Sequence, residues 1–563
     1  MDSTQRVARK RLRARELGVC ITCCKRYPPP DRRVCQECGE QALERTRARR
    51  ARLRDRKRCG RELAEAERAG DDAVVLHYYL EAAQSYRRAL EVPQECDDAC
   101  ARIIDKLAFA LYRTVDPSTA EPWLKSALEK YARSDERTAH ALLQLGRQHW
   151  MGSKISAALP LFQKAAEIAK ACGNRELQAR AILTSVHYLH ILGRTEKIEA
   201  IIIDARVDPS DDPDLLARFE MAHAMAAASR GERDASFAHF EAALEAAERS
   251  ETYIATIVWN EYAICSELLG DTERARRAHY QAVETTRKER IAWLVPFHLL
   301  NYAEAAWKCG DDRGAADALR EALRSELDVP VLRTLLVGIG VPFALAKNDR
   351  RLLLRCADES AIDLAFTSGD PQAIAAVASA FAALYHEDGR FADARALLHR
   401  ALASISCPDY LYELALRIAQ FGFETDIAPV REFIVKRTQS PAPELAQAYL
   451  EAFDALAELR SGRMLRGRAH ARSAVKAFTR IGRVREADMA RALAERSDQT
   501  VRLTQRERQI AALITRGLTN RAVAEYLGIS ERTAESHVCS IMKRLGIRSR
   551  YQLADALQTK RTQ

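Results

Sequence analysis

A glycine that returns at a nearly fixed interval constrains this chain more than any other feature. Gly193, Gly231, Gly270, Gly310 and Gly389 are separated by 38, 39, 40 and 79 residues, the last gap being two periods. Asn348 stands near the place of the missing glycine, and Asn is the next best residue for a tight turn between helices. Five residues after four of these glycines comes a small residue: Ser236, Ala275, Ala315 and Ala394, with Ile198 in that place in the first repeat. Seven further on stand Ala205, Ala243, Ala282, Ala322 and Ala401, and Ile202, Phe240, Leu319 and Leu398 lie between. A small residue lets paired helices approach closely, and the larger one fills the gap between neighbouring pairs. No such pair can bury its apolar face alone, so the expected fold is a stacked superhelix with a concave surface. Most Trp, Tyr and His residues in it are expected to be core. Some are expected to line a groove for a peptide, a protein or a small effector.

Composition points the same way. Gly 23 and Pro 17 in 563 residues are both low, which favours long helices over a loop-rich β protein. No run approaches the roughly 20 apolar residues of a membrane span. The longest stretch, Leu335 to Ala346, is interrupted by two glycines and a proline. The Arg-rich start has no apolar segment of the secretory type. Fourteen cysteines are too sparse for a disulfide scaffold, so a reducing, cytoplasmic setting with no membrane association is expected. The net charge of +10 is uneven: residues 1–60 hold 19 Lys/Arg against 7 Asp/Glu, and residues 501–563 hold 12 against 5, which leaves the middle at −9. Basic ends suggest contact with a polyanion, most simply nucleic acid.

The repeat register, over roughly residues 70–495, resembles tetratricopeptide repeats, particularly the longer-period version in bacterial regulators of the MalT type. The stretch 405–460 fits the register poorly.

At the basic N-terminus, Cys20-Ile21-Thr22-Cys23 is followed after eleven residues by Cys35-Gln36-Glu37-Cys38. Two such knuckles can place four thiolates around one tetrahedral Zn2+, and Gly39 suits the tight turn of the second. The pattern resembles a small zinc ribbon, so Cys20, Cys23, Cys35 and Cys38 are the expected metal ligands. The run from Arg45 to Arg58 reads as a polar helix or a disordered arm, and such arms often contact phosphates.

Residues 503–557 read as four short helices. Thr504 with Glu507 forms a capping box, Gly517 ends the first helix, Thr519 caps the second, and Ser530 caps the third. Ala524 and Gly528, four apart, are read as a small pair that lets two helices cross tightly. On the third helix Ala534, Val538, Ile541 and Leu545 share one apolar stripe. The opposite face carries Arg532, Ser536, Cys539, Ser540 and Lys543, with Thr533 and Glu535 at its edges. A polar face on the second helix of such a pair is what a major groove accepts. The whole segment, with LTQRE, GLTN, ISERTAESH and IMKRLG, closely resembles the LuxR/GerE-type DNA-binding domain. The resemblance implies sequence-specific binding to double-stranded DNA, usually as a homodimer, with groove contacts at Glu535, Ser536 and Cys539. Nearby contacts are expected from Thr519, Asn520, Arg521, Ser530, Arg532, Thr533, His537, Ser540, Lys543 and Arg544. The chain departs from the family pattern at Ala522, where Glu is usual, at Ala534, where Val is common, and at Glu535, where Lys is common. An acid in the reading face accepts from cytosine N4 but repels phosphate, so an altered operator preference is expected.

There is no GxxxxGK[ST] phosphate loop, no HExxH and no nucleophile motif, so no enzyme is expected. The resulting expectation is an all-α chain: a zinc-ribbon-like segment at 1–60, helical repeats at 61–498 and a helix-turn-helix domain at 499–563. Its expected function is operator binding by the C-terminal domain, with the repeats sensing an effector or docking a protein or peptide partner. The competing reading is an interaction scaffold whose basic ends give only weak DNA or RNA affinity.

Overall fold

The computed structural model describes residues 36–76, 78–92, 97–113, 121–130, 136–152, 154–192, 194, 197–205, 212–250, 253–325, 329–405, 411–438, 443–495, 504–545, 549 and 553. These residues are all-α, with no β-strand among them. The first helices are α1 (Gln36–Val75), α2 (Tyr79–Glu91), α3 (Asp97–Tyr112), α4 (Glu121–Lys130), α5 (Glu136–Met151), α6 (Ile155–Ala171), α7 (Arg175–Ile191), α8 (Ile198–Ala205) and α9 (Pro213–Arg230). They are followed by α10 (Arg233–Glu248), α11 (Ile254–Leu268), α12 (Thr272–Lys288), α13 (Leu294–Lys308), α14 (Asp312–Ala322), α15 (Pro330–Lys347), α16 (Arg350–Cys356), α17 (Ser360–Ser368) and α18 (Pro371–Glu387). The last are α19 (Phe391–Ser404), α20 (Leu411–Phe421), α21 (Glu424–Arg437), α22 (Pro443–Arg460), α23 (Met464–Arg480), α24 (Val484–Glu495), α25 (Gln505–Ile514), α26 (Asn520–Leu527) and α27 (Glu531–Leu545). The chain divides into two compact units, Met1–Leu107 and Ala108–Gln563.

In the first unit, α1 runs unbroken for 40 residues. It answers the choice the sequence left open: the run from Arg45 to Arg58 is helical. The C-terminal part of α1 carries the packing. Lys106 bridges Glu67 and Asp71 at 2.8 and 2.7 Å, Arg102 adds a second pair to Glu67, and the Tyr86 hydroxyl donates to Asp71 at 2.7 Å.

The zinc centre expected from the cysteine spacing is not supported. Among the described residues no three His, Cys, Asp or Glu side chains group as metal ligands. Cys38 sits in the first turns of α1, where Gly39 continues the helix instead of making the tight turn a knuckle needs. Cys20, Cys23 and Cys35 lie outside the described residues.

The second unit contains the helical-repeat array. The periodic glycines do what the spacing requires: Gly231, Gly270, Gly310 and Gly389 have φ between 77° and 84°, and Asn348 takes the same left-handed cap at 51°. Gly193 lies outside the described residues. Ser236, Ala275, Ala315 and Ala394 are fully buried, as are Phe240, Leu319 and Leu398, so the small and large positions pack as the register implies.

One helix differs from the sequence reading. The stretch interrupted by Gly338, Gly340 and Pro342 is a continuous helix, α15, and among the described residues it alone has the length and apolarity of a membrane span. It is a core helix of the array, with Val337 and Val341 buried. A Cβ on Gly338 would come within 2.7 Å of the Ala376 Cβ, so that glycine permits the close crossing of α15 and α18.

The array also closes on itself. Residues 481–485, which lead into α24, pack against α11, α12 and α13. The Thr272 hydroxyl donates to the Ile481 carbonyl at 2.8 Å, and Arg483 reaches Glu267 at 2.8 Å. The Arg485 guanidinium lies 3.8 Å from the centre of the Trp307 ring. Gly310 combines its left-handed φ with this contact, since a Cβ there would fall 2.8 Å from Val484.

Candidate nucleic-acid interface and array cavity

Helices α25, α26 and α27 form a small core of their own. Ile510, Ile514, Val523, Ala524, Ala534, Val538, Ile541 and Leu553 are buried together. The caps form as the local sequence dictates. Thr504 accepts from the Glu507 N–H at 3.2 Å while Glu507 accepts from the Thr504 N–H at 2.8 Å, a reciprocal capping box. Thr519 accepts from the Ala522 N–H, and Ser530 from the Thr533 N–H at 3.1 Å. Gly528 makes the turn between α26 and α27 at φ 64°. A Cβ there would meet nothing within 4 Å, so its part is conformational and not the close helix crossing read from its pairing with Ala524.

The polar face of α27 has the composition expected of it. Arg532, Thr533, Glu535, Ser536 and Cys539 are exposed, and His537 and Ser540 are half-buried. Thr519, Arg521 and Ser530 are exposed at the ends of α26 and α27, and Asn520 is half-buried with its carbonyl oxygen unpartnered. Arg521 pairs with Glu525 at 3.1 Å on the surface. Lys543 and Arg544 stand in the last turn of α27, and their side chains lie outside the described residues. The fourth helix expected after Ser549 also falls outside them, apart from Ser549 itself and Leu553.

Two positioning contacts escaped the sequence reading. The Ser540 hydroxyl donates to Glu507 at 3.1 Å, which joins the capping box of α25 to the middle of α27. Arg506 donates to the Leu527 carbonyl at 2.8 Å, which ties α25 to the end of α26. Neither leaves a periodic signal, because both link residues more than twenty apart.

Within the array lies a cavity of about 200 Å3 lined by helices from α5 to α22 and by Arg483. A buried charge network runs along its wall. Lys308 is 2.6 Å from Glu267 and 2.7 Å from Glu304, and Arg483 also reaches Glu267. Burial alone would raise the Glu267 carboxyl, but Lys308 and Arg483 outweigh it and hold it at about 2. Glu261 faces His187 and His190 at 3.0 and 3.3 Å. Arg485 stands 3.5 Å from Glu413. The sequence reading placed most aromatics and histidines in the core and did not separate these from the rest.

The model of the luxR family of bacterial regulatory proteins matches residues 501–557. Among curated relatives, the chain is 38% identical over 50 residues to the spore germination protein GerE of Bacillus subtilis, a match that spans 9% of this chain and 68% of GerE. It is 35% identical over 83 residues to the HTH-type transcriptional activator RamA of Corynebacterium glutamicum, spanning 13% of this chain and 30% of RamA. It is 51% identical over 45 residues to the transcriptional regulatory protein MctR of Rhizobium johnstonii, spanning 8% and 21%. The chain thus spans less than a third of the length of the last two. Among solved structures, a Rap protein complexed with competence and sporulation factor matches at TM-score 0.42 and 13% identity, covering 67% of this chain and 99% of that one. Yeast Tom70 matches at TM-score 0.27 and 13% identity, covering 77% and 96%. Likenesses this distant carry no functional content. Through its C-terminal domain the chain belongs to the luxR family of bacterial regulatory proteins, and that domain is a DNA-binding helix-turn-helix. The matched family comprises regulators, not enzymes.

Proposed function

We propose that this protein is a cytoplasmic transcriptional regulator in which residues 499–563 bind operator DNA and the repeats of 61–498, tetratricopeptide-like in register, sense an effector or dock a partner. The observation that carries the reading is the exposed polar face of α27, built on a buried Ala534–Val538–Ile541 stripe inside a domain of the luxR type. The relatives RamA and MctR bear names of transcriptional regulators, which supports the same role here.

In this reading Glu535, Ser536 and Cys539 meet base edges. Arg532, Thr533, His537, Ser540, Lys543 and Arg544 flank them on α27, while Thr519, Asn520, Arg521 and Ser530 approach the backbone from helix N-termini, where N–H groups favour phosphate. Binding as a homodimer would give two half-sites about one helical turn apart. The cavity of the array supports the sensing half of the reading, because its wall includes Arg483, only about twenty residues before α25.

The test is selection from random duplex DNA by the full chain. A recurring motif with paired half-sites is expected, weakened when Arg532 and Lys543 are both changed to Ala. If no sequence is enriched, the regulator reading fails.

A further inference from the structure

The cavity of the array carries an uneven balance of charge. Five carboxylates line it, Glu261, Glu267, Glu304, Asp370 and Glu413, against Lys308, Arg483 and His190, whose imidazole Cys265 and Glu261 raise to about 10 despite burial. Glu261 is answered by two histidines, Glu267 by Lys308 and Arg483, and Glu413 by Arg485. Glu304 must share Lys308 with Glu267. Asp370 has no ion-pair partner among the described residues: its Oδ1 accepts from the Gln372 and Ala373 N–H groups as the cap of α18. Burial pushes the Asp370 carboxyl up to about 6 and also raises Glu304. Asp370 therefore faces the cavity with no cation of its own, and Glu304 with a shared one.

A second, independent observation points the same way. His279 sits four residues after Ala275, at the place in the repeat where Ile202, Phe240, Leu319 and Leu398 stand elsewhere. It is 4% exposed, lines the cavity, and its Nδ1 has no hydrogen-bond partner. Burial lowers it to about 4, so at neutral pH it is an uncharged imidazole. A repeat position that elsewhere holds an apolar plug here carries a buried imidazole on the cavity wall with one ring nitrogen unpartnered. Trp150 and Phe297 complete the wall with aromatic surface, their rings 5.2 Å apart. Carboxylates and aromatic faces both favour a cation. The volume, about 200 Å3, far exceeds the roughly 10–15 Å3 that one water requires.

We propose that this cavity binds a small organic cation, with ammonium or guanidinium groups answering Asp370 and Glu304 and an apolar body against Trp150 and Phe297. The ligand chemistry has two sources, a linear polyamine or a short basic peptide. The proposal rests on the sensing reading only for its consequence, that the ligand changes operator affinity.

The test uses the full chain at physiological salt, titrated calorimetrically with spermidine, with agmatine and with the tripeptide Arg-Ala-Arg. Fully acetylated spermidine and an acetylated citrulline tripeptide serve as uncharged matches. At least one cationic probe is expected to bind and its uncharged match to bind at least tenfold more weakly. Spermidine or agmatine binding alone identifies an amine metabolite, and tripeptide binding alone a peptide. Affinity should fall at least tenfold in the Glu304→Gln, Asp370→Asn double variant. Gln is isosteric with Glu, and Asn keeps the helix cap, so the variant should retain its helical content. Absence of binding by every probe, equal binding of the uncharged matches, or undiminished binding by a folded double variant overturns the proposal. A probe that binds through Glu304 and Asp370 but leaves operator affinity unchanged upholds the site and overturns the sensing reading instead.

Discussion

The Ser540 hydroxyl donates to the Glu507 carboxylate at 3.1 Å, so one buried side chain both caps α25 and anchors α27. Glu507 is 3% exposed, and its second oxygen is committed to the Thr504 N–H. The orientation of α27 is thereby fixed by a residue whose own side chain is buried.

Changing Glu507 to Ala should therefore loosen the whole domain. Loss of the cap and of the buried hydrogen bond together should cost about 2–3 kcal/mol. Hydrogen exchange of the 505–545 amides in the full chain measures it. Exchange at the wild-type rate would mean that the capping box is not what holds α25 against α27.

On the exposed face, Arg532→Ala is expected to weaken binding and to reduce the slope of log affinity against log salt by about 1. Glu535→Gln should act oppositely. Removing an acid beside phosphate should raise affinity by about tenfold or less and relax the base preference at one position, at a cost of about 1–3 kcal/mol in discrimination. Fluorescence anisotropy with the selected operator at several salt concentrations reads both. An unchanged slope for Arg532→Ala would put the phosphate contact elsewhere.

Gly310 and Gly173 offer a controlled comparison. Both have positive φ, 84° and 76°, but a Cβ on Gly310 would strike Val484 whereas one on Gly173 would meet nothing within 4 Å. Gly173→Ala should cost about 1 kcal/mol from backbone strain alone. Gly310→Ala should cost clearly more, because it also pushes the closing residues away. Equal shifts in urea midpoint would show that array closure contributes nothing measurable.

His298 lines an adjoining cavity at 2% exposure, with both ring nitrogens unpartnered. Burial, helped by His279, lowers it to about 3. A depressed folded pKa contributes stability that is present above the unfolded value near 6.5 and is lost as pH falls toward 3. Asp370 and Glu289, raised by burial to about 6 and about 7, act in the opposite sense, so the effect is read as a difference. The stability advantage of the wild type over His298→Gln should shrink by about 2 kcal/mol between pH 7.5 and 5. Parallel pH profiles for the two proteins would refute the neutral, buried histidine.

The sequence by itself determined what is local or periodic. Glycine spacing located the left-handed caps, including Asn348, because a backbone with φ above zero admits few residues. Helical periodicity found the buried stripe of α27, and Thr504 with Glu507 was legible because a capping box spans only three residues. The cysteine spacing misled, because ligand spacing says nothing about whether the chain between turns or continues as helix, and at Cys38 it continues. The long-range pairings were decided by tertiary structure alone. Thr272 meets Ile481 across 209 residues, Glu267 meets Arg483, and these contacts close the array. The cavity charge is set by which carboxylates obtain a cation once the helices stack, and burial raises Asp370, which obtains none, and Glu304, which shares one. His279 breaks the apolar register, an exception the sequence reading did not single out, and the void it lines exists only once the helices pack.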